Sequence, residues 1–99
     1  MPFKDIDIET FKNKMLSNNS IVIDIRDPDS FLENNIPGSK NFNSNDLMSL
    51  ATQDDKSKEL LIYCYKGHSS RKIAHFFSES GFNKVYSLIG GFESWKNHK

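Results

Sequence analysis

Two short and almost uninterrupted apolar runs limit what this chain can fold into. The first run is IVIDI at residues 21–25, and the second is LLIY at residues 60–63. Runs of this length, rich in branched aliphatic residues, are typical of strands that are covered on both faces, as strands of a parallel sheet are. The sequence therefore predicts two buried strands in a parallel sheet.

Helical and extended segments alternate along the rest of the chain. Asp7 is expected to cap a first helix that carries Ile8, Phe11 and Met15 on one face. The later expected elements are a short helix over 30–34, an extended piece over 40–42, a helix capped by Asn45, a helix that ends at Gly81, a strand over 85–88, and a last helix after Gly90 and Gly91. This alternation predicts an α/β fold with a central parallel sheet.

The length and charge of the chain limit the number of domains it can form and the partners it can bind. Ninety-nine residues are enough for one domain over residues 1–99, with a core that needs no disulfide or metal. Thirteen Lys and Arg balance thirteen Asp and Glu, which argues against a nucleic-acid partner. The sequence has no secretory signal and no run long enough to span a membrane, so we expect a cytoplasmic protein.

The lone cysteine is the candidate reactive group. Cys64 follows the second apolar run directly, and reactive groups gather at the carboxyl ends of strands in open α/β sheets. The connection from Tyr65 to Ser70 is short, contains Gly67 and leads into a helix, so its N–H groups can turn inward and hold an anion. Lys66 and Arg71 would add positive charge if their side chains faced the site. The alternative is a buried structural cysteine, which is also common.

A phosphatase also uses a cysteine in a loop before a helix. Tyrosine phosphatases need an arginine at the sixth position after the cysteine, where its guanidinium grips the phosphoryl oxygens in a bidentate manner. In this chain that position is Ser70, and Arg71 comes one residue later. The position of the arginine weakens the phosphatase interpretation.

Four segments, in this order and spacing, resemble the rhodanese domain, above all the small single-domain thiosulfate sulfurtransferases of bacteria. The segments are IDIRDPDSF, IPGSKNF, CYKGHSS and YSLIGGFESW. The resemblance implies a rhodanese fold, in which helices cover both faces of a central parallel sheet. It also implies that Cys64 carries sulfur as a persulfide, and that the main-chain N–H groups of the loop bind the anion. That loop comprises Tyr65, Lys66, Gly67, His68, Ser69 and Ser70.

The chain departs from the family pattern at two places. Many rhodanese domains have an arginine at the fifth position after the cysteine, where this chain has Ser69, although serine occurs there in the subgroup it resembles. Asn34 and Asn35 replace the usual Gly-His pair before Ile-Pro-Gly. We assign no catalytic role to these two asparagines.

The chemistry that the resemblance implies is a double displacement. The Cys64 thiolate takes the outer sulfur of thiosulfate, sulfite leaves, and the persulfide passes its sulfur to cyanide in the assay, or to thiols or reduced thioredoxin in the cell. No metal or organic cofactor is implied, and we expect a monomer or a weak homodimer. The alternatives are a non-catalytic rhodanese-like interaction module and a cysteine-based phosphatase or arsenate reductase.

Several other residues have structural interpretations that we prefer to functional ones. His68 is interpreted as a solvated loop residue, and His75 and His98 as structural or exposed. Asp24 and Arg26 are expected to form a structural salt bridge. Phe92 and Trp95 are expected in the core, while Gly90 and Gly91 allow either a close backbone approach to the loop or a simple turn.

Overall fold

A computed structural model of the chain describes residues 3–98, and over these residues five strands alternate with five helices. The elements in chain order are β1 (Lys4–Ile6), α1 (Ile8–Met15), β2 (Ser20–Asp24), α2 (Pro28–Glu33), β3 (Lys40–Asn41), α3 (Ser44–Ala51), β4 (Glu59–Tyr63), α4 (Ser69–Glu79), β5 (Val85–Leu88) and α5 (Gly91–Asn97).

All five strands lie in one sheet, and every pairing is parallel. The strand order is β1-β5-β4-β2-β3, which places β4 in the middle between β2 and β5. In the register of the sheet, Ile62 of β4 lies beside Ile23 of β2 and beside Ser87 of β5. The predicted α/β fold with a central parallel sheet is confirmed.

The core has two parts, one on each face of the sheet. On one face, side chains from α3 and α4 such as Leu50 and Phe77 pack on Ile62. On the other face, Phe11 of α1 and Phe92 of α5 pack with Leu61, Tyr63 and Leu88. Adjacent residues of β4 therefore point into opposite halves of the core, which explains its continuous apolar sequence.

Two expectations about element ends are confirmed and one is wrong. The Asp7 side chain caps α1 by accepting a hydrogen bond from the Thr10 N–H at 2.9 Å, and Gly81 follows the end of α4 with a φ of +110°. Helix α3 is capped by Asn43 rather than Asn45. Asn43 accepts from the N–H of Asp46 while the Asp46 carboxylate accepts from the N–H of Asn43, which makes a reciprocal capping box that begins the helix earlier.

The sequence does not predict β1. This strand pairs with β5 at one edge of the sheet, and Lys4 and Asp5 are exposed. A three-residue edge strand with two charged residues has no apolar pattern from which it could be recognised. Within residues 3–98, no helix combines the length and the apolar character that crossing a membrane requires.

Candidate active site

Cys64 lies at the carboxyl end of the central strand. It follows β4 directly, and the loop of residues 64–70, here called the Cys64 loop, returns the chain to the first turn of α4. The cysteine is a free thiol with an exposed fraction of only 4%.

Main-chain donors of the Cys64 loop surround the sulfur. The N–H groups of Gly67 and Ser70 donate to Cys64 Sγ at 3.2 and 3.3 Å. Ser70 Oγ lies 3.4 Å from the same sulfur, where it can accept from the thiol or donate to the thiolate. Because the N-terminal end of α4 also carries a partial positive charge, this arrangement favours negative charge on sulfur.

A second serine, Ser87 of β5, stands behind Ser70. The two hydroxyl oxygens are 2.8 Å apart, and neither residue has any exposed surface. Ser87 lies in the segment YSLIGGFESW, but the sequence alone assigns it no role. A signal exists, since Ser87 alternates with Val85 on the strand face that packs against α4, where an apolar residue is expected.

The side chains of the Cys64 loop reach three different parts of the molecule. The Tyr65 hydroxyl lies 3.1 Å from Ser30 Oγ of α2. Lys66 and His68 line a cavity of about 340 Å³ beside β5, whereas Ser69 lines a cavity of about 420 Å³ on the side of α3. Apart from Ser70, whose hydroxyl faces the sulfur, the loop presents its backbone to the sulfur and its side chains to the surroundings.

Gly91 allows the start of α5 to pack directly against the backbone of the Cys64 loop. A β-carbon at Gly91 would lie 2.6 Å from the carbonyl oxygen of Cys64, and the φ of Gly91 is +58°. The next residue, Phe92, donates its N–H to that same carbonyl at 2.7 Å. Of the two interpretations of the Gly90–Gly91 pair, the close backbone approach is confirmed at Gly91.

Arg71 is directed away from the sulfur. Its Nε donates to Asp5 Oδ1 at 3.1 Å, and both side chains are substantially exposed. Asp5 belongs to β1, the strand that the sequence does not predict, so this partner could not be anticipated. The sixth position after Cys64, where a phosphatase would need an arginine, is Ser70. The arginine that follows it, Arg71, is paired with the carboxylate of Asp5.

The expected salt bridge between Asp24 and Arg26 is confirmed at 2.7 Å, and both residues are buried. Burial alone would lower the pKa of Arg26, but the hydrogen bonds and charge of Asp24 outweigh it and raise that pKa. The guanidinium also lies 4.2 Å from the ring centroid of Phe92 and donates to the Asn34 carbonyl. These contacts brace the carboxyl edge of the sheet around the loop.

Two aromatic residues and three histidines have structural interpretations from the sequence. Phe92 is buried as expected, while Trp95 is only half-buried. His68 and His75 are exposed, and His98 contacts Glu9 at 2.8 Å. Among residues 3–98, no cluster of His, Cys, Asp or Glu has the grouping needed to hold a metal ion.

Comparison with known proteins gives consistent matches. The rhodanese-like domain family matches residues 7–98. The thiosulfate sulfurtransferase GlpE of Coxiella burnetii is 44% identical over 78 residues, which cover 79% of this chain and 73% of that protein.

Two solved structures share the fold. A rhodanese-like domain protein from Staphylococcus aureus has a TM-score of 0.78 at 24% identity, covering 93% of this chain and 90% of its own. A protein of unknown function from Rhodopseudomonas palustris, described as a possible tyrosine phosphatase, has a TM-score of 0.81 at 22% identity, covering 96% and 80%. At these identities the two structures establish the fold alone. With the family match over nearly all of its length and a close relative in sequence, this chain belongs to the rhodanese-like domain family.

Proposed function

We propose that this chain is a thiosulfate sulfurtransferase in which Cys64 is the nucleophile. The observation that carries the proposal is the position of the sulfur, which accepts from the main-chain N–H groups of Gly67 in the loop and Ser70 in the first turn of α4. Relatives that are named thiosulfate sulfurtransferase and are 38–44% identical support the same activity.

The reaction is two successive displacements at sulfur. The Cys64 thiolate forms a bond to the outer sulfur of thiosulfate while the S–S bond of thiosulfate breaks, and sulfite leaves with the electron pair. An acceptor then bonds to the outer sulfur of the persulfide, and the Cys64 thiolate leaves. Cyanide becomes thiocyanate, and a thiolate acceptor becomes a persulfide. Each step is covalent and simple, and neither needs a general acid or an external oxidant.

The Cys64 loop contributes by stabilising anionic sulfur. The thiolate, the attacked thiosulfate and the terminal sulfur of the persulfide are all negatively charged. The N–H groups of Gly67 and Ser70 already point at the Cys64 sulfur, where the charge lies in the thiolate. Preorganised donors of this kind need no rearrangement as the reaction proceeds. We therefore assign anion binding to the main chain of residues 65–70.

The loop side chains have a secondary role in the proposal. Lys66 and His68 share their cavity with the paired Arg71 and Asp5, so Lys66 supplies the cationic charge at this side of the loop that attracts an anionic substrate. Ser69 stands where many family members have an arginine, and it contributes no charge. His68 is not required as a base, because the N–H donors already favour the thiolate.

The proposed acceptors are cyanide in the assay and thiols or reduced thioredoxin in the cell. We place the chain in the cytoplasm, because a lone cysteine that must remain free is best kept so in a reducing compartment. A monomer or weak homodimer without nucleic acid is proposed, in keeping with the even charge balance.

The test is the mass of the intact protein after exposure to thiosulfate. We expect a gain of one sulfur atom that cyanide or dithiothreitol removes, and we expect Cys64→Ala to lose both this gain and turnover by at least about 1,000-fold. His75→Ala is the matched control, since His75 is exposed on α4. Undiminished transfer by Cys64→Ala would contradict the mechanism.

An added assay for aryl phosphate hydrolysis separates the two alternatives. A phosphatase would hydrolyse an aryl phosphate and acquire no sulfur. We do not expect this hydrolysis, because Arg71 is paired with Asp5. A non-catalytic interaction module would acquire no sulfur and hydrolyse nothing. Only the sulfurtransferase combines a reversible mass gain with release of sulfite.

A further inference from the structure

Ser87 lies outside the Cys64 loop, yet its side chain is in contact with the loop. Its Oγ is 2.8 Å from Ser70 Oγ, and this is its one hydrogen-bond partner among residues 3–98. Both serines are completely buried. A buried hydroxyl with a single partner, directly behind the serine that touches the sulfur, needs an explanation.

The direction of the hydrogen bonds follows from counting protons. Each serine hydroxyl has one proton, so only one of the two can donate within the pair. If Ser70 donated to Ser87, the Ser87 proton would have no acceptor, and a buried donor without an acceptor is unfavourable. If Ser87 donates to Ser70, the Ser70 proton is left for its other neighbour, the Cys64 sulfur at 3.4 Å. Both hydroxyls are satisfied only when Ser70 donates to sulfur.

This direction matches the anionic form of the sulfur. A thiolate has three lone pairs, and three donors then face it, namely the Gly67 N–H, the Ser70 N–H and the Ser70 hydroxyl. In the proposed reaction the thiolate is the nucleophile of the first displacement and the leaving group of the second. A donor fixed on this sulfur therefore assists both steps.

Ser87 also restricts where the Ser70 hydroxyl can go. A serine in the first turn of a helix can instead turn its hydroxyl to a nearby main-chain carbonyl. Ser87 is well placed to prevent this, because its strand is hydrogen-bonded on both sides, with Ile62 of β4 and Asp5 of β1 as neighbours in register. The paired strand therefore keeps the Ser87 hydroxyl in position to donate to Ser70 Oγ.

We propose that Ser87 is a positioning residue for sulfur transfer, which acts through Ser70 by directing its hydroxyl to the Cys64 sulfur. The consequence for turnover rests on the proposed function. The effect on the sulfur itself does not, since it concerns the state of the thiol before any substrate binds.

The experiment compares Ser87→Ala, Ser70→Ala and the double variant with the wild type, with Ser78→Ala as the matched control. Ser78 is a buried serine of α4 whose hydroxyl has no partner among the described residues. Two quantities are measured: kcat and KM with thiosulfate and cyanide, and the pH at which alkylation of Cys64 by iodoacetamide reaches half its maximal rate. The charged and titratable groups around the loop are the same in every variant, namely Asp5, Arg26, Asp27, Lys66, His68, Arg71 and Lys72.

We expect Ser87→Ala to lower kcat by about 3- to 10-fold and to leave KM within about twofold, because Ser87 touches no substrate. The half-maximal pH of alkylation should rise, since the anionic sulfur loses a fixed donor. The double variant should match Ser70→Ala, because Ser87 has nothing left to act through. Ser78→Ala should behave as the wild type.

Two results would overturn the proposal. One is that Ser87→Ala lowers kcat by the same factor with and without the Ser70 hydroxyl, since the two serines would then act independently. The other is that Ser87→Ala leaves the alkylation profile where it was. If the wild type transfers no sulfur, the proposed function fails, and the alkylation profile alone decides the role of Ser87.

Discussion

At the scale of single residues, Gly91 and Gly38 share a left-handed backbone but differ in their surroundings. Their φ angles are +58° and +90°. A β-carbon at Gly91 would lie 2.6 Å from the Cys64 carbonyl oxygen and 2.7 Å from the carbonyl carbon of Tyr65, whereas one at Gly38 would meet nothing within 4 Å. Both positions carry backbone strain for any other residue, but only Gly91 adds a collision with backbone.

This difference predicts unequal costs for the same substitution. Gly38→Ala is expected to lower the free energy of unfolding by about 1–2 kcal/mol, which is the cost of the left-handed conformation. Gly91→Ala is expected to lower it by about 3 kcal/mol or more, because the collision adds to that strain. It should also reduce sulfur transfer, since the Cys64 carbonyl must move. Urea unfolding measures both costs, and equal losses would show that the contact at Gly91 is unimportant.

What the sequence reveals at this scale depends on whether the signal is local. Cys64 and its loop are recognisable because a strand, a glycine-containing connection and a helix follow one another in the chain. The pairings of Ser87 with Ser70 and of Asp5 with Arg71 are not recognisable, because each depends on sheet pairing across a long separation in sequence. The orientation of Arg71 stays open in the sequence for the same reason.

At the scale of elements, the start of α3 depends on one side chain. Asn43 Oδ1 accepts from the Asp46 N–H at 2.9 Å, and the Asp46 carboxylate accepts from the Asn43 N–H at 2.9 Å. Asn45, which the sequence analysis selects as the cap, is an exposed residue inside the first turn. Three asparagine or serine candidates precede the apolar residues, so composition alone does not decide which of them caps the helix.

The two asparagines provide a matched pair for a stability measurement. Asn43→Ala is expected to lower the free energy of unfolding by about 1 kcal/mol, because the Asp46 N–H loses its acceptor. Asn45→Ala is expected to change it by less than about 0.5 kcal/mol in either direction, since alanine is a better helix former and no cap is lost. Thermal or urea unfolding of the two variants measures both changes in the free energy of unfolding. A larger loss at Asn45 would contradict the assignment of the cap.

The strands that the two apolar runs predict, β2 and β4, are covered on both faces. Each has three or more consecutive apolar residues, because each packs on helices at both sides. β1 has no such pattern and forms only because β5 offers it a free edge. Secondary structure that depends on a partner strand is determined by tertiary contacts, and a single segment carries little trace of it.

At the scale of the whole molecule, the strand order brings the functional groups to one edge of the sheet. Cys64 follows the central strand, while Arg26 and the Gly90–Gly91 turn follow the strands on its two sides. The parallel arrangement could be predicted from the apolar runs, but the order β1-β5-β4-β2-β3 could not, because pairing is a choice among many long-range contacts. The family resemblance implies helices on both faces of the sheet but was not used to assign a strand order.

Tyr63 links this edge of the sheet to the stability of the entire fold. It precedes Cys64, has no exposed surface, and packs with Phe11 and Phe92 in the core on one face. Its hydroxyl accepts from the Ile36 N–H at 3.2 Å and lies 2.9 Å from Ser39 Oγ. Burial raises the pKa of Tyr63 to about 12, because the phenolate would be poorly solvated there.

The raised pKa predicts a loss of stability in alkaline solution. In the unfolded chain the phenol ionises near its ordinary pKa of 10.0, whereas in the folded chain it stays neutral to about 12. The unfolded state therefore binds fewer protons between pH 10 and 12, and the free energy of unfolding falls with rising pH over this window, by about 2–3 kcal/mol at most. Below pH 10 both states are neutral at this group, and the contribution does not change.

Replacing the hydroxyl isolates this contribution. Tyr63→Phe is expected to be less stable than the wild type by about 1–2 kcal/mol at pH 7, because the buried Ile36 N–H loses its acceptor. Between pH 10 and 12 the difference should shrink, since the variant has no phenol to ionise at this position. Tyr65→Phe is the control, because Tyr65 is 49% exposed and the buried phenol of Tyr63 remains. A difference between wild type and Tyr63→Phe that stays constant from pH 7 to 12 would mean that the folded and unfolded states bind this proton equally.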